Sequence, residues 1–323
     1  MILTLTLMLV WPNFVEPAAA KEPATYRLKW LFNASVVGDL YADVHNLFAA
    51  KGLDVTVKEG GPERDAIREL EMGRAQFGVA SADQVIRALD KGAAVVVIAQ
   101  LFQINPLQWI YRPEKFRIDR LEDLKGKKLG VTFGGNDETI LRTLLAKAGI
   151  TEKDVTLFSV RYDYTPFYKH KVNFWPVYRN TQAIILSEKL RKEGEPVAFF
   201  NPAEFGVRFV ANSVITSPRM IQEHPATVRN FTEALMLGWT QALDFNNHPK
   251  AIKTLQRFDK DTPVHILDQQ LNETRKLIQP TPGFKVGTID VAAWKQTEKI
   301  MLDQKQISTP VFVEKVLKSY IPY

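Results

Sequence analysis

The 323-residue chain contains no cysteine. Disulfides, thiolate nucleophiles and cysteine-held zinc are therefore excluded. A chain without cross-links rests on its hydrophobic core, and about 300 residues can bury one of sufficient size. Long blocks of like charge are also missing, and no Gly/Ser-rich or Pro-rich tract marks a disordered linker. Neither phosphate-cradling pattern, G-x-x-x-x-G-K-[ST] or G-x-G-x-x-G, occurs. The five histidines (His45, His170, His224, His248 and His265) include no i,i+4 pair of the kind that holds a metal. No nucleophile stands beside a base, so catalysis is not signalled and no cofactor is expected.

What is present is ordinary globular material, 46% hydrophobic and 24% charged, in a length that suits two domains. The formal charge of +6 is spread over the chain rather than gathered on one segment. That distribution argues for a basic solvated surface and against a nucleic-acid partner. Only the start departs from this pattern. "ILTLTLMLVW" is apolar, Pro12 interrupts it, and Ala18–Ala20 precede Lys21. An apolar run of about ten residues before an A-x-A site reads as a signal peptide over residues 1–20. The run is too short for a membrane span, and an uncleaved anchor is the other reading. The basic segment that usually opens a signal peptide is absent from these residues, and a start upstream of Met1 is an open alternative. Removing residues 1–20 takes away Glu16 and no base, leaving 42 basic against 35 acidic residues, or +7.

Strand-like and helix-like segments then alternate. "YRLKWLF", "LDVTVKE", "AQFGVAS" and "AAVVVIAQLF" read as strands. Helical spacing falls between them, in "VVGDLYADVHNLFAAKG", in "GGPERDAIRELEMG" opened by Pro62, and in "ADQVIRALDKG". The alternation restarts near Leu121 and turns helical beyond Ser217. The expected class is α/β, two small units around mainly parallel sheets followed by a helical tail.

One stretch resists a purely structural reading. Between Arg161 and Asn180 stand seven aromatics: Tyr162, Tyr164, Phe167, Tyr168, Phe174, Trp175 and Tyr178. Polar residues interleave with them, which neither a buried strand nor a solvated helix requires. Phe174 and Trp175 are adjacent, so one of them points into the core whichever way a strand there faces. Tyr178, Asn180 and Gln182 share one face of an extended strand, unless Gln182 begins the next helix as a cap. "GGND" at 134–137 opens a helix, but Asp137 and Glu138 follow at once. A neutral or cationic group suits that turn, or it is a plain cap. Trp239 and Trp294 read as helix-packing core.

Seven phrases, in order, resemble the extracytoplasmic solute-binding proteins of ABC importers. They are "LKWLFN" at 28–33, "KGLDVTV" at 51–57, "MGRAQFGVAS" at 72–81, "LEDLKGKKLGV" at 121–131, "NPAEFGV" at 201–207, "EHPATVRNFTEALMLGWTQAL" at 223–243 and "GTIDVAAW" at 287–294. The branch they resemble holds the ThiY-like binders of thiamine pyrimidine precursors and their SsuA-like relatives for sulfonates, taurine and nitrate. The resemblance implies a two-lobed periplasmic-binding-protein fold with two hinge crossings. Lobe one would be residues 21–116 plus 212–323, with the helical tail packed on it, and lobe two residues 117–211. It also implies a monomer that hands a small molecule to an ABC permease without reaction; with the expected signal peptide, and no cysteine to carry a lipid anchor, the expected place is the periplasm, and no enzyme is expected.

The pyrimidine binders carry a Tyr-x-Asn-x-Glu pattern facing the cleft. Tyr178, Asn180 and Gln182 match it here, with an amide where the family has an acid. An aromatic followed by two amides suits a flat heteroaromatic ligand, by stacking and by in-plane hydrogen bonds. Trp30, Asn33, Ser81 and Asp83, after the ends of expected strands, complete the expected wall with Asn136 and Trp175. Phe32 replaces the family's Pro, and Val36 stands near the place of its His. The expected ligand is a planar nitrogen heterocycle, thiamine-pyrimidine-precursor-like or flavin-like. Sulfonate, taurine or nitrate binding and a sensor protein are the alternatives. A related group of pyrimidine-forming enzymes uses a cysteine cluster, which this chain lacks.

Overall fold

The computed structural model describes residues 20–161 and 163–321. Residues 1–19 of the expected signal peptide, and Tyr162, lie outside them. Among the described residues ten strands run in chain order: β1 Glu22–Arg27, β2 Leu53–Lys58, β3 Phe77–Ala80, β4 Val96–Gln100, β5 Leu107–Tyr111, β6 Lys128–Val131, β7 Thr156–Ser159, β8 Trp175–Tyr178, β9 Ala198–Phe200 and β10 Ser213–Thr216. The first sheet has the order β2-β1-β3-β10-β4. β1 pairs with β2 and β3 in parallel, whereas β10 lies antiparallel between β3 and β4. The second unit holds β8-β5-β9 and β6-β7, joined by a single bridge between Leu129 and Phe174.

β5 corrects the expected boundary. Its residues pair with Trp175–Tyr178 on one side and Ala198–Phe200 on the other. The chain therefore leaves the first sheet between Gln100 and Leu107, not after residue 116. "LQWIY" is only five residues between Pro106 and Pro113, and prolines on both flanks make it resemble a connector. The first strand is displaced too: β1 ends at Arg27, so Leu28–Asn33 is loop and not strand.

The core of the first unit forms around the helix Pro225–Leu243, which is buried along most of its length. Phe231 stacks on Phe77 with ring centroids 3.7 Å apart, and meets Tyr26 edge-on at 5.0 Å. Aromatic side chains of this size each contribute about 1.5–3 kcal/mol when fully buried. Trp239 and Trp294 are fully buried, as the helical spacing suggests. The helix expected over Val36–Lys51 is broken at Asn46, whose φ of 58° starts a second short helix, Leu47–Ala50. Asn tolerates that left-handed conformation better than most residues. The C-terminal helices pack mainly on the first unit; Trp294 and Met301 join the cluster of Val85 and Ile86. Among the described residues no helix is long and apolar enough to cross a membrane.

Candidate functional site

A cavity of about 210 Å³ lies between the two units. From the first unit its wall takes the loop after β1, with Lys29, Trp30 and Asn33, and the turn carrying Arg64 and Asp65. The loop after β1 is held down by backbone bonds, Leu28 N–H to the Lys58 carbonyl at 2.8 Å and Gly60 N–H to the Trp30 carbonyl at 3.0 Å. Gly60 is required there, because a Cβ would stand 2.0 Å from the Leu28 carbonyl oxygen. Asn33 caps the turn Ala34–Val36: its Oδ1 accepts from Ser35 N–H at 2.8 Å and its Nδ2 donates to the Leu31 carbonyl at 3.1 Å. Asn33 thus lines the cavity with its amide already engaged.

The second unit supplies the turn after β6, Thr132–Gly135, and the first residues of the helix Asn136–Lys147. Here the sequence reading of a capping turn holds for the two acids. Asp137 Oδ2 accepts from Thr132 N–H at 2.6 Å, and Glu138 accepts from Gly134 N–H at 2.7 Å. Burial raises the Asp137 pKa to about 6, while the Thr132 N–H and the nearby Lys29 ammonium act in the opposite direction. β8 adds Trp175–Tyr178, and Tyr164 lies behind Trp175 with ring centroids 5.6 Å apart. Burial pushes the Tyr164 hydroxyl well up.

Six of the nine sequence-predicted residues therefore line the cavity: Trp30, Asn33, Asn136, Trp175, Tyr178 and Gln182. The other three are corrected. Ser81 is fully buried as the N-cap of the helix Ala82–Asp90, paired with Gln84, and it is Gln84 that reaches the cavity. Asp83 is also fully buried and pairs with Arg87 at 3.0 Å. Arg87 in turn reaches Thr139 and the Gly134 carbonyl of the second unit. Asn180 faces neither cavity nor solvent: its Nδ2 donates to Ser35 Oγ at 3.0 Å and to Thr274 Oγ1 at 2.8 Å. The shared face of Tyr178, Asn180 and Gln182 does not form, because β8 ends at Tyr178 and Gln182 begins a helix. Gln182 Oε1 accepts from Tyr178 N–H at 3.0 Å and from the Thr181 hydroxyl at 2.7 Å, so it also caps.

Lys29 was missed. Its ammonium donates to Asn136 Oδ1 at 2.9 Å and to the Tyr178 hydroxyl at 3.1 Å, both in the opposite unit. The only signal for it was a lone base inside the apolar phrase "LKWLF", at the carboxyl end of a strand where ligands gather. Further bonds join the units around the cavity: Arg179 with Glu273, His265 with Glu188 at 2.9 Å, and Arg161 with Glu63. Among the described residues no cluster of three or more His, Asp or Glu could hold a metal.

The sequence profile of the family described as NMT1/THI5 like matches residues 33–252. A Haemophilus influenzae protein named for thiamine biosynthesis is 27% identical over 203 residues, 62% of this chain and 62% of its own length. The formylaminopyrimidine-binding protein of Halalkalibacterium halodurans is 22% identical over 318 residues, 95% of this chain and 93% of its own. The alkanesulfonate-binding protein SsuA from Xanthomonas axonopodis pv. citri, solved with MOPS, superposes with a TM-score of 0.70 at 19% identity. It covers 93% of this chain and 100% of its own. The fold is that of the periplasmic binding proteins. The desulfurization enzyme DSZB shares it with a TM-score of 0.62 at 12% identity, covering 93% of this chain and 97% of its own, so the fold alone does not exclude chemistry.

Proposed function

The chain belongs to the NMT1/THI5-like family, and on that premise we propose that it is the substrate-binding component of an ABC importer, capturing a single-ring nitrogen heterocycle between its lobes. The observation that carries this reading is the cavity itself, walled by Trp30, Tyr164, Trp175 and Tyr178 and bridged by Lys29. Aromatic faces provide apolar area for a flat ring, and Gln182, Asn136 and Thr181 provide polar groups at its edge. A volume of about 210 Å³ lies below the usual 300–1,000 Å³ of drug-sized pockets, which favours one ring over a three-ring flavin. The ligand named for the Halalkalibacterium relative, a formylaminopyrimidine, is of that class.

Capture is reversible and needs no reaction: the lobes close on the ligand about the two crossings near residues 101–106 and 201–212, and the closed form meets a permease. Residues 1–20 would direct the chain to the periplasm, where it acts as a monomer. A second reading, an alkanesulfonate ligand, is favoured by Lys29, which takes part in no ion pair among the described residues.

A thermal-shift and calorimetric screen on protein refolded from denaturant tests both readings, with a formylaminopyrimidine, riboflavin, taurine, nitrate and MOPS as probes. A bound ligand stabilises the folded chain by about 2.7 kcal/mol at a hundred times its dissociation constant. A shift with the pyrimidine and none with riboflavin is expected. A shift with MOPS or taurine alone would overturn the heterocycle.

A further inference from the structure

We infer that Lys29 and Asn136, one from each lobe, form a two-donor clamp for an oxygen acceptor on the ligand, a carbonyl or an oxyanion; this rests on the reading that the interlobe cavity is the ligand site. An ammonium has three N–H donors. Two of those on Lys29 are taken by Asn136 Oδ1 and the Tyr178 hydroxyl, both neutral, and no carboxylate of the described residues pairs with it. One donor remains on the cavity wall, where Asp137 is close enough to feel the ammonium's charge without hydrogen-bonding to it.

Asn136 completes the pair. Its Oδ1 accepts from Lys29 and, at 3.4 Å, from the Tyr178 hydroxyl. An ammonium cannot accept a hydrogen bond, so the amide oxygen must face Lys29 and the nitrogen must face elsewhere. That nitrogen is buried and has no partner, in a residue only 5% exposed that lines the cavity. A buried donor left unpaired is costly, and a ligand oxygen that reaches it as the lobes move would satisfy it. Both unspent groups are donors, which fixes the sign of the recognition. The ligand offers oxygen here, and a protonated amine would set donor against donor.

The clamp sets specificity inside the pyrimidine class. A pyrimidine with a formylaminomethyl arm presents a carbonyl oxygen; the same compound without its formyl group presents an ammonium at neutral pH. Titration calorimetry at pH 7.5 on the full chain compares these two probes and MOPS, using wild type, Lys29→Met, Lys29→Gln and Asn136→Asp. Each variant is first shown to be folded by its melting transition. Wild type is expected to prefer the formyl compound. Lys29→Met and Lys29→Gln lose the interlobe bonds and so weaken both pyrimidines, but they weaken the formyl compound by about tenfold or more beyond the amine, the scale of a lost charged hydrogen bond. Asn136→Asp, which swaps a donor for an acceptor, reverses the preference.

If all three variants weaken both pyrimidines by one common factor, or weaken neither, the clamp is wrong although the heterocycle reading survives. If only MOPS binds wild type and the variants lose it, the clamp stands and the heterocycle reading falls. Binding of none of the three probes overturns both.

Discussion

Asn180 of the second unit donates to the Thr274 hydroxyl of the first at 2.8 Å, with a second bond to Ser35 at 3.0 Å. The contact joins the lobes beside the cavity, which Ser35 lines and Asn180 does not. Asn180→Ala should therefore weaken every ligand by the same factor, about three- to tenfold for each bond lost at 0.5–1.5 kcal/mol. Calorimetry against two unlike ligands checks this; selective loss of one would show that Asn180 reads ligand chemistry directly.

Asp39 is buried in the core of the first unit, where it accepts from the Tyr26 hydroxyl at 2.6 Å and from the Trp239 indole at 3.4 Å. Burial raises its pKa from 3.8 to about 7, against the opposing effect of those hydrogen bonds. Because the folded value exceeds the unfolded one, the stabilising contribution is complete below about 4 and is lost as pH rises through about 7. Asp39→Asn should flatten that decline and melt higher than wild type at pH 8.5. Melting curves from pH 5 to 9 decide it, and parallel curves for the two proteins would refute the assignment.

Asp137, with its pKa near 6, lies on the cavity wall close enough to Lys29 to feel its charge. As pH rises through about 6 its carboxylate forms and offsets the ammonium, so affinity for an oxygen-bearing ligand should fall. Lys29→Met removes the charge that lowers the Asp137 pKa, and the inflection should move upward. Binding isotherms between pH 5 and 8 report both, and an inflection that stays in place would uncouple the two residues.

Gly38 lies where the helix Val37–Val44 crosses the helix Pro225–Leu243. A Cβ there would stand 2.1 Å from the Trp239 ring and 2.6 Å from its Cα. Backbone cannot yield as a flexible side chain does, so Gly38→Ala should cost at least the 1–3 kcal/mol of ordinary overpacking, lowering the melting point by at least about 2–5 °C in a chain of this length. An unchanged melting point would mean the crossing has slack.

Much of the site was legible because it follows local rules. Asn136 starts a helix, Tyr178 ends a strand and Trp30 lies in the loop that follows one, and the α/β alternation placed those junctions. Asn180 was misread because its partner Thr274 is 94 residues away in sequence, and no local period carries that information. Ser81 was read as a ligand group when it serves only a cap, and Gln182 lines the cavity while also capping, since the same side chains suit both roles. Lys29 escaped because one lysine among many has no pattern; its meaning comes from the opposite lobe.

The antiparallel place of β10 between β3 and β4 has a consequence for how the chain is made. β3 and β4 do not pair with each other, so until Ser213–Thr216 has been synthesised the first sheet stays split, with two raw edges facing one another. The N-terminal hundred residues cannot finish folding while they wait on the ribosome. A nascent chain that is obliged to stay open until two-thirds of it exists is also one that remains threadable through a narrow pore.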